Sequence, residues 1–299
     1  MELRVLRYFL MVAREENITK AANLLHVTQP TLSRQLMQLE EELGVKLFHR
    51  SRHRILLSEE GMLLKRRAQE LVDLADKTLQ EFSQEASELA GKIAVGSGEL
   101  QSTGVLAEIL TAFHKQHPQV HYELFSADAD GIKERLENGL LDFGLLLEPV
   151  NIQTYEFIRM PVKEQWGVLV RKDSLLAGKA AVQAEDLIHT ELIASGRDLI
   201  VNDLGNWFGE YADQIDVVVH GNLLYNMAMM VEQGLGSALC LKLDTCYQKL
   251  CFRPFTPALT SGSVLVWKKA QRISPMLAAF IKFSKAYVER MVQDSGPTE

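Results

Sequence analysis

No run approaching about 18 apolar residues occurs anywhere in the 299-residue chain, so no membrane-spanning helix is indicated. The N-terminus has neither an apolar signal core nor a small-residue cleavage site; Arg4, Arg7 and Arg14 interrupt it, and secretion is not expected. Cysteine is scarce. The three present, Cys240, Cys246 and Cys251, are odd in number and share no zinc-finger spacing with a histidine pair, which reads as reduced structural thiols in a cytoplasmic protein. Gly96-Ser97-Gly98 follows a strand-like run, but residue 101 is Gln where a dinucleotide fingerprint needs its third glycine, and no P-loop lysine follows. Ser97 lies in no Gly-x-Ser-x-Gly elbow, and no Ser/His/Asp set is found. An enzyme is therefore not expected, and neither a cofactor nor a metal is implied. Internal repeats and low-complexity segments are also missing.

Basic charge is short overall, with 32 Lys and Arg against 39 Asp and Glu for a net charge of −7. The shortage is uneven. Residues 1–67 hold 12 Lys/Arg against 8 Asp/Glu, whereas the remainder holds 20 against 31. An acidic body repels DNA, so any nucleic-acid contact belongs to the basic N-terminal part. The apolar content of 47% and the length allow two or three domains with sizeable cores.

The most informative stretch is residues 18–45. Ile18, Ala21, Ala22 and Leu25 recur at i, i+3, i+4 and i+7, one apolar face of a short helix. Thr28 is placed as an N-cap and Pro30 in the first turn of a second helix, whose inward residues are Leu32, Leu36, Leu39 and Leu43 and which Gly44 ends. Two short helices on a tight turn read as a helix-turn-helix. Opposite its leucines the second helix offers Thr28, Gln29, Pro30, Thr31, Ser33, Arg34 and Gln38, with no acid before Glu40. Side chains of these types reach base edges and phosphates in a major groove. Lys46-Leu47-Phe48 and Ile55-Leu56-Leu57 are strand-like runs around a basic tip with Arg50, Arg52 and Arg54, a hairpin wing for phosphates.

On these residues the first 66 positions resemble the winged helix-turn-helix of LysR-type transcriptional regulators. The match runs through Phe9, Ala21-Ala22, Leu25, Thr28-Gln29-Pro30, Leu32-Ser33, Leu39-Glu40, Leu43-Gly44, Leu47-Phe48, Arg50 and Gly61. Glu60 departs from the small residue usual there and fits a helix first turn.

Before the helix pair, Leu3, Leu6, Phe9, Leu10 and Ala13 predict an amphipathic helix behind it, and Asn17 is placed to cap the next. After the wing, a long helix runs from Ser58 to about Leu89, with Leu64, Ala68, Leu71, Ala75, Leu79, Phe82, Ala86 and Leu89 apolar. Its sevenfold spacing predicts a two-stranded dimer helix, the alternative being a helix lying along its own body. Gly91 then marks a change to alternating strands and helices: Lys92–Val95, Val105–His114, Val120–Phe125, Ile132–Glu137 and Asp142–Leu147. A second series over 162–264 includes Leu192–Ala194, Asn202–Ala212, Ile215–Val219, Leu223–Glu232 and Ser237–Leu241, and Ser274-Pro275 opens a helix over Met276–Met291. The succession predicts parallel α/β structure.

The resemblance extends here through Gly91–Val95, Gly139-x-x-Asp142 and Val231-x-x-Gly234-Leu235-Gly236. It implies an α/β chain with an all-α-rich winged helix-turn-helix at residues 1–58, a linker (dimerisation) helix at 59–90 and an effector-binding domain at 91–299. That last domain would be two-lobed and periplasmic-binding-protein-like, lobe I at about 91–161 and 268–299, lobe II at about 162–267. The crossings would lie near Pro161–Lys163 and Val264–Lys268. Strand ends and helix N-termini favour ligand oxygens. The predicted effector residues are Gly98, Glu99, Leu100, Gln101, Ser102, Thr103, Asp128, Ala129 and Arg197, in the loops 98–103, 126–130 and 195–202. Glu99, Asp128 and Asp130 make that rim acidic, which weakens the case for a simple carboxylate effector. The partners implied are double-stranded operator DNA, a small-molecule effector and further copies of the chain, as dimer or tetramer. The rivals are a binding or transport receptor on the same two-lobed fold, which residues 1–89 disfavour, and an enzyme.

Overall fold

A computed structural model describes residues 1–50, 55–82, 89–269 and 273–294. The chain divides into two compact units, Met1–Gln84 and Glu85–Glu299.

The first unit begins with α1 (Leu3–Glu15), α2 (Ile18–Leu24) and α3 (Gln29–Leu43). Phe9 is fully buried at its centre, 5.3 Å between ring centroids from Phe48, and Leu6, Val12, Leu32, Leu36 and Leu39 close around it. Ala21 and Ala22 are buried, which lets α2 pack closely. Asn17 caps α2 through Lys20 N–H at 3.0 Å. Gly44 ends α3 at φ +69°, a left-handed turn that glycine adopts without penalty. Leu43 does not join the core as its spacing predicts: at 38% exposure it lies beyond the last inward turn. Leu3 is likewise exposed, and Val5 and Val12 take the inward places on α1.

The wing is a two-stranded antiparallel hairpin, β1 (Phe48–Arg50) against β2 (Ile55–Leu57), with Phe48 opposite Leu57. Its tip, with Arg52 and Arg54, lies outside the described residues, as does the side chain of Arg50. Helix α4 (Glu59–Phe82) follows. Ser58 is buried, its hydroxyl donating to Lys46 O at 2.6 Å and accepting from Gly61 N–H at 2.9 Å. A Cβ at Gly61 would stand 2.2 Å from Leu47 O, so only glycine permits this approach.

The predicted apolar stripe of α4 divides. Leu64, Ala68 and Val72 pack on this unit's own core. Leu63, Leu71 and Leu74 form a separate exposed stripe, with Leu71 at 42% exposure. Ala86 and the expected helical run over 83–88 lie outside the described residues. Leu89 packs with the core of the second unit.

The second unit has two sheets. In lobe I, β3 (Gly91–Ser97), β4 (Val120–Ser126), β5 (Phe143–Leu147), β6 (Tyr155–Arg159) and, late in the chain, β13 (Ser263–Lys268) are ordered β4-β3-β5-β13-β6. The first three are parallel, and β13 is antiparallel to both its neighbours. Helices α5 (Ser102–Gln116), α6 (Ala129–Glu137) and α9 (Pro275–Asp294) complete the lobe. In lobe II, β7 (Glu164–Arg171), β8 (Glu191–Ala194), β9 (Asp216–His220), β10 (Ser237–Leu241) and β11 (Leu250–Pro254) are ordered β11-β7-β10-β8-β9, and the short β12 (Thr260–Ser261) pairs with β7. Helices α7 (Asp198–Phe208) and α8 (Leu224–Glu232) pack here.

The sheets are therefore mixed rather than parallel throughout, because β6, β7, β11 and β13 add antiparallel pairs. The first crossing falls at residues 160–163. The return falls at Gly262, earlier than the expected Val264–Lys268, because the whole of β13 pairs with β5 and β6 of lobe I.

Candidate functional site

In the first unit, the three buried leucines of α3 determine what faces out. With Leu32, Leu36 and Leu39 buried, Thr28, Gln29, Pro30, Thr31, Arg34 and Gln38 are exposed and Ser33 is half-buried. Thr28 stands at the N-cap position, yet makes no capping bond; its hydroxyl lies 2.8 Å from that of Thr31. Gln29 Nε2 donates to Ser33 Oγ at 2.9 Å. These bonds join one residue of that outward face to another. At the far end of the helix, Glu40 accepts from Lys46 Nζ at 2.7 Å and from Leu47 N–H at 2.9 Å, tying α3 to the start of the wing. Burial opposes ionisation of Glu40, but these bonds outweigh it and hold its carboxyl below the ordinary value.

In the second unit, a cavity of about 110 Å³ opens between the lobes. Gly98, Glu99, Leu100, Asp128, Ala129 and Arg197 line it, six of the nine residues expected. Gln101, Ser102 and Thr103 do not. Ser102 is 0% exposed, at the N-terminus of α5, and that terminus already holds a carboxylate from within the chain. Glu164, the first residue of β7 and itself fully buried, accepts from Gln101 N–H at 2.8 Å and Ser102 N–H at 3.0 Å. The Ser102 hydroxyl bonds the same carboxylate and lies 2.5 Å from Ser263 Oγ. Both crossing segments thus converge on α5. The favourable field of a helix N-terminus is real, but here a protein side chain takes it. Thr103 turns inward as well, donating to Gly98 O at 3.2 Å.

Two polar contacts bridge the lobes at the mouth. Glu99 of lobe I accepts from Leu224 N–H at the start of α8. Arg197 Nε of lobe II donates to Asp130 at 3.4 Å. Asp128 is occupied as the cap of α6, accepting from Gly131 N–H at 2.9 Å. The inner wall is apolar, with Leu145, Leu147, Trp166, Ile200, Met227 and Leu239. Ile200 falls within the predicted loop 195–202, and the other five were not named as site residues. Leu145, Leu147, Met227 and Leu239 lie on elements read as strands or helices of the core, and which core faces meet a cleft depends on the lobe pairing. Cys240 also lines the wall, and burial pushes its thiol up to about 12. Gly96 has a packing role: a Cβ there would meet Ile132 Cγ2 of α6 at 2.8 Å.

Among the described residues, no group of three or more His, Cys, Asp or Glu side chains gathers as a metal would require, and no helix is long and apolar enough to cross a membrane.

A winged helical unit followed in the chain by a two-lobed α/β unit is the architecture of a ligand-responsive DNA-binding regulator, and the comparisons with known proteins agree. Residues 3–62 match the bacterial regulatory helix-turn-helix of the lysR family, and residues 86–289 match the LysR substrate binding domain. The chain belongs to the LysR family and is a DNA-binding transcriptional regulator with an effector-binding domain. It is 29% identical over 293 residues to the Hca operon transcriptional activator HcaR of Escherichia coli K12, covering 94% of this chain and 96% of that one. It is 34% identical to the regulator BsdA of Bacillus subtilis over 158 residues, about half of each chain. Among solved structures it resembles the LysR-family regulator CbnR in complex with its target DNA, with a TM-score of 0.71 at 21% identity over 98% of this chain and 100% of that one.

Proposed function

We propose that the exposed face of α3 reads operator DNA, that the wing supports it at phosphates, and that a small effector bound between the lobes modulates the outcome. The observation that carries the DNA assignment is the polarity of α3. Leu32, Leu36 and Leu39 are buried, and Gln29, Thr31 and Arg34 are exposed on its N-terminal half, where no acidic residue precedes Glu40 in the helix. In this reading Arg34 reads a guanine edge and Thr28, Gln29, Pro30, Thr31, Ser33 and Gln38 share its contacts, while Arg50, Arg52 and Arg54 of the wing, whose side chains lie outside the described residues, are assigned to phosphates. The protein acts in the cytoplasm, where its DNA is, and as a regulator rather than a catalyst. Replacing Arg34 with Ala weakens operator binding by ~1–3 kcal/mol while leaving the unfolding midpoint unchanged. Binding that equals wild type across a salt titration would refute this face.

The exposed stripe Leu63, Leu71 and Leu74 makes α4 a dimer helix, and a dimer presents two α3 helices to two half-sites. Leu64 and Ala68 belong to the head's own core and take no part in that seam. Leu71→Asp places a charge in the seam and dissociates the dimer in sedimentation; an unchanged assembly would assign this stripe elsewhere. Effector binding alters the equilibrium between lobe arrangements only by its difference in affinity for them.

A further inference from the structure

Two kinds of contact join the lobes, and they differ in depth. The crossing segments are pinned by buried groups. Glu164 at the start of β7 holds the N-terminus of α5, and Trp166 Nε1 donates to Ser261 Oγ of the return segment at 2.9 Å. Met160 N–H donates to Ser263 O and Trp166 N–H to Leu259 O, each at 2.9 Å. Glu164, Trp166, Ser261 and Ser263 are all buried, so breaking these bonds leaves polar groups unpaired out of reach of water. This side of the cleft stays together.

The mouth is built differently. There lobe I supplies acids and lobe II supplies donors. The half-buried Glu99 reaches across to Leu224 N–H, the first residue of α8, where a helix N-terminus favours negative charge. Asp130, in the first turn of α6, accepts from Arg197 Nε at 3.4 Å across the same gap. Asp130 is 69% exposed and the Arg197 side chain 8% exposed. Parting the lobes here returns both carboxylates to water and disturbs no strand pairing of either sheet.

We propose that Glu99 and Asp130 are latches with which the chain closes its own lobes, turning about the pinned crossings. The proposal concerns groups of the chain alone and stands apart from the effector reading. Its consequence is regulatory. Any signal acting on a two-state equilibrium starts from the populations already present, and these two acids set them. Glu99 is the stronger latch because its bond is partly buried; a pair as exposed as Asp130 with Arg197 contributes less.

The three cysteines make the opening measurable in the full chain. Cys240 lines the cavity at 6% exposure, Cys246 is exposed, and Cys251 lies half-buried on β11. Alkylation by N-ethylmaleimide and by the bulkier fluorescein-5-maleimide, followed at each thiol by mass spectrometry, reads the mouth at Cys240 and lobe II itself at Cys251. Glu99→Gln should speed Cys240 alkylation about tenfold or more, and Asp130→Asn about two- to fivefold. The double variant should show roughly the product of the two factors, since both latches act on one equilibrium. Cys246 and Cys251 should keep their wild-type rates. Burial first, then the Glu99 charge, pushes the Cys240 thiol up to about 12, so Glu99→Gln also eases ionisation, an effect common to both reagents. Opening instead favours the bulky reagent more steeply, and Asp130 is not among the groups that raise this thiol. Wild-type Cys240 rates in the double variant would overturn the proposal. Equal acceleration by both reagents in Glu99→Gln, with none in Asp130→Asn, would overturn it too, because only thiol acidity would have changed. Cys251 accelerating together with Cys240 would show a loosened lobe II and no latch.

Discussion

Helices α3 and α5 begin alike and end with opposite uses. Each opens on a run of small polar residues, Thr28-Gln29-Pro30-Thr31 in one and Gln101-Ser102-Thr103 in the other, and each offers the unpaired N–H groups of a helix N-terminus. In α3 those side chains stay at the surface, Thr28 against Thr31 and Gln29 against Ser33. In α5 Ser102 is buried against Glu164 and Ser263. An open helix terminus is available to a partner; a filled one is a structural joint. Composition does not separate the two. The location of a carboxylate 62 residues away does.

The largest expected effect breaks the joint. Glu164→Ala removes the acceptor from two backbone N–H groups and a buried hydroxyl at once. A loss of ~3–5 kcal/mol follows from leaving several buried donors unsatisfied. Urea unfolding of the second unit measures it. Glu164→Gln, which keeps one oxygen, should lose less. Wild-type stability in Glu164→Ala would mean that the α5 terminus is solvated and open after all.

Substitution on α3 sharpens the contrast from the other side. Thr31→Ala should shift the unfolding free energy by no more than ~0.5 kcal/mol, the usual range for surface positions, yet weaken operator binding measurably. Ser102→Ala should do the reverse, costing ~1–2 kcal/mol of stability with operator binding unchanged in the absence of effector. If Ser102→Ala instead altered only ligand affinity, the hydroxyl would have to reach the cleft.

The difference between the two helices also measures how far a single sequence can be read. The head was legible because its pattern is local: Ile18 to Leu25 and Leu32 to Leu39 determine two helices and their facing sides within one short stretch, and the residues left over are the ones exposed. Strands such as Ser237–Leu241 and helices such as Leu224–Glu232 were legible for the same reason. The cavity between the lobes was half legible. Strand ends and loop chemistry selected six of its lining residues, Gly98–Leu100, Asp128, Ala129 and Arg197. What failed was long-range. The partner of Ser102 comes from β7, and β13 returns to lobe I after the chain has passed through lobe II. The acidic rim read from Glu99, Asp128 and Asp130 also changes once its partners are seen: Glu99 and Asp128 each hold a backbone N–H, and Asp130 accepts from Arg197 Nε. On α4, sevenfold spacing selected Ala68 for a dimer seam, although a helix packed on its own head buries the same small residue.

The smallest effect concerns the other end of α3, where the head has an internal carboxylate of its own. Glu40 joins α3 to the wing through Lys46 and Leu47 N–H, and those bonds hold its carboxyl below the ordinary 4.5 although burial works against them. A carboxyl with a depressed folded-state pKa contributes its stabilisation fully above the ordinary value and loses it as pH falls through the folded value. Wild-type and Glu40→Gln proteins should therefore differ by ~1.5–3 kcal/mol at neutral pH, the range for a bond to a charged group. The two should converge as pH drops below about 4.5. Unfolding of the head followed by near-ultraviolet circular dichroism across pH 3–7 reads both curves. Parallel curves would show that the Glu40 charge does not hold the wing to α3. Because Lys46 is exposed and salt screens it, Lys46→Met should account for the minor part of the difference, and the buried Leu47 N–H for the rest.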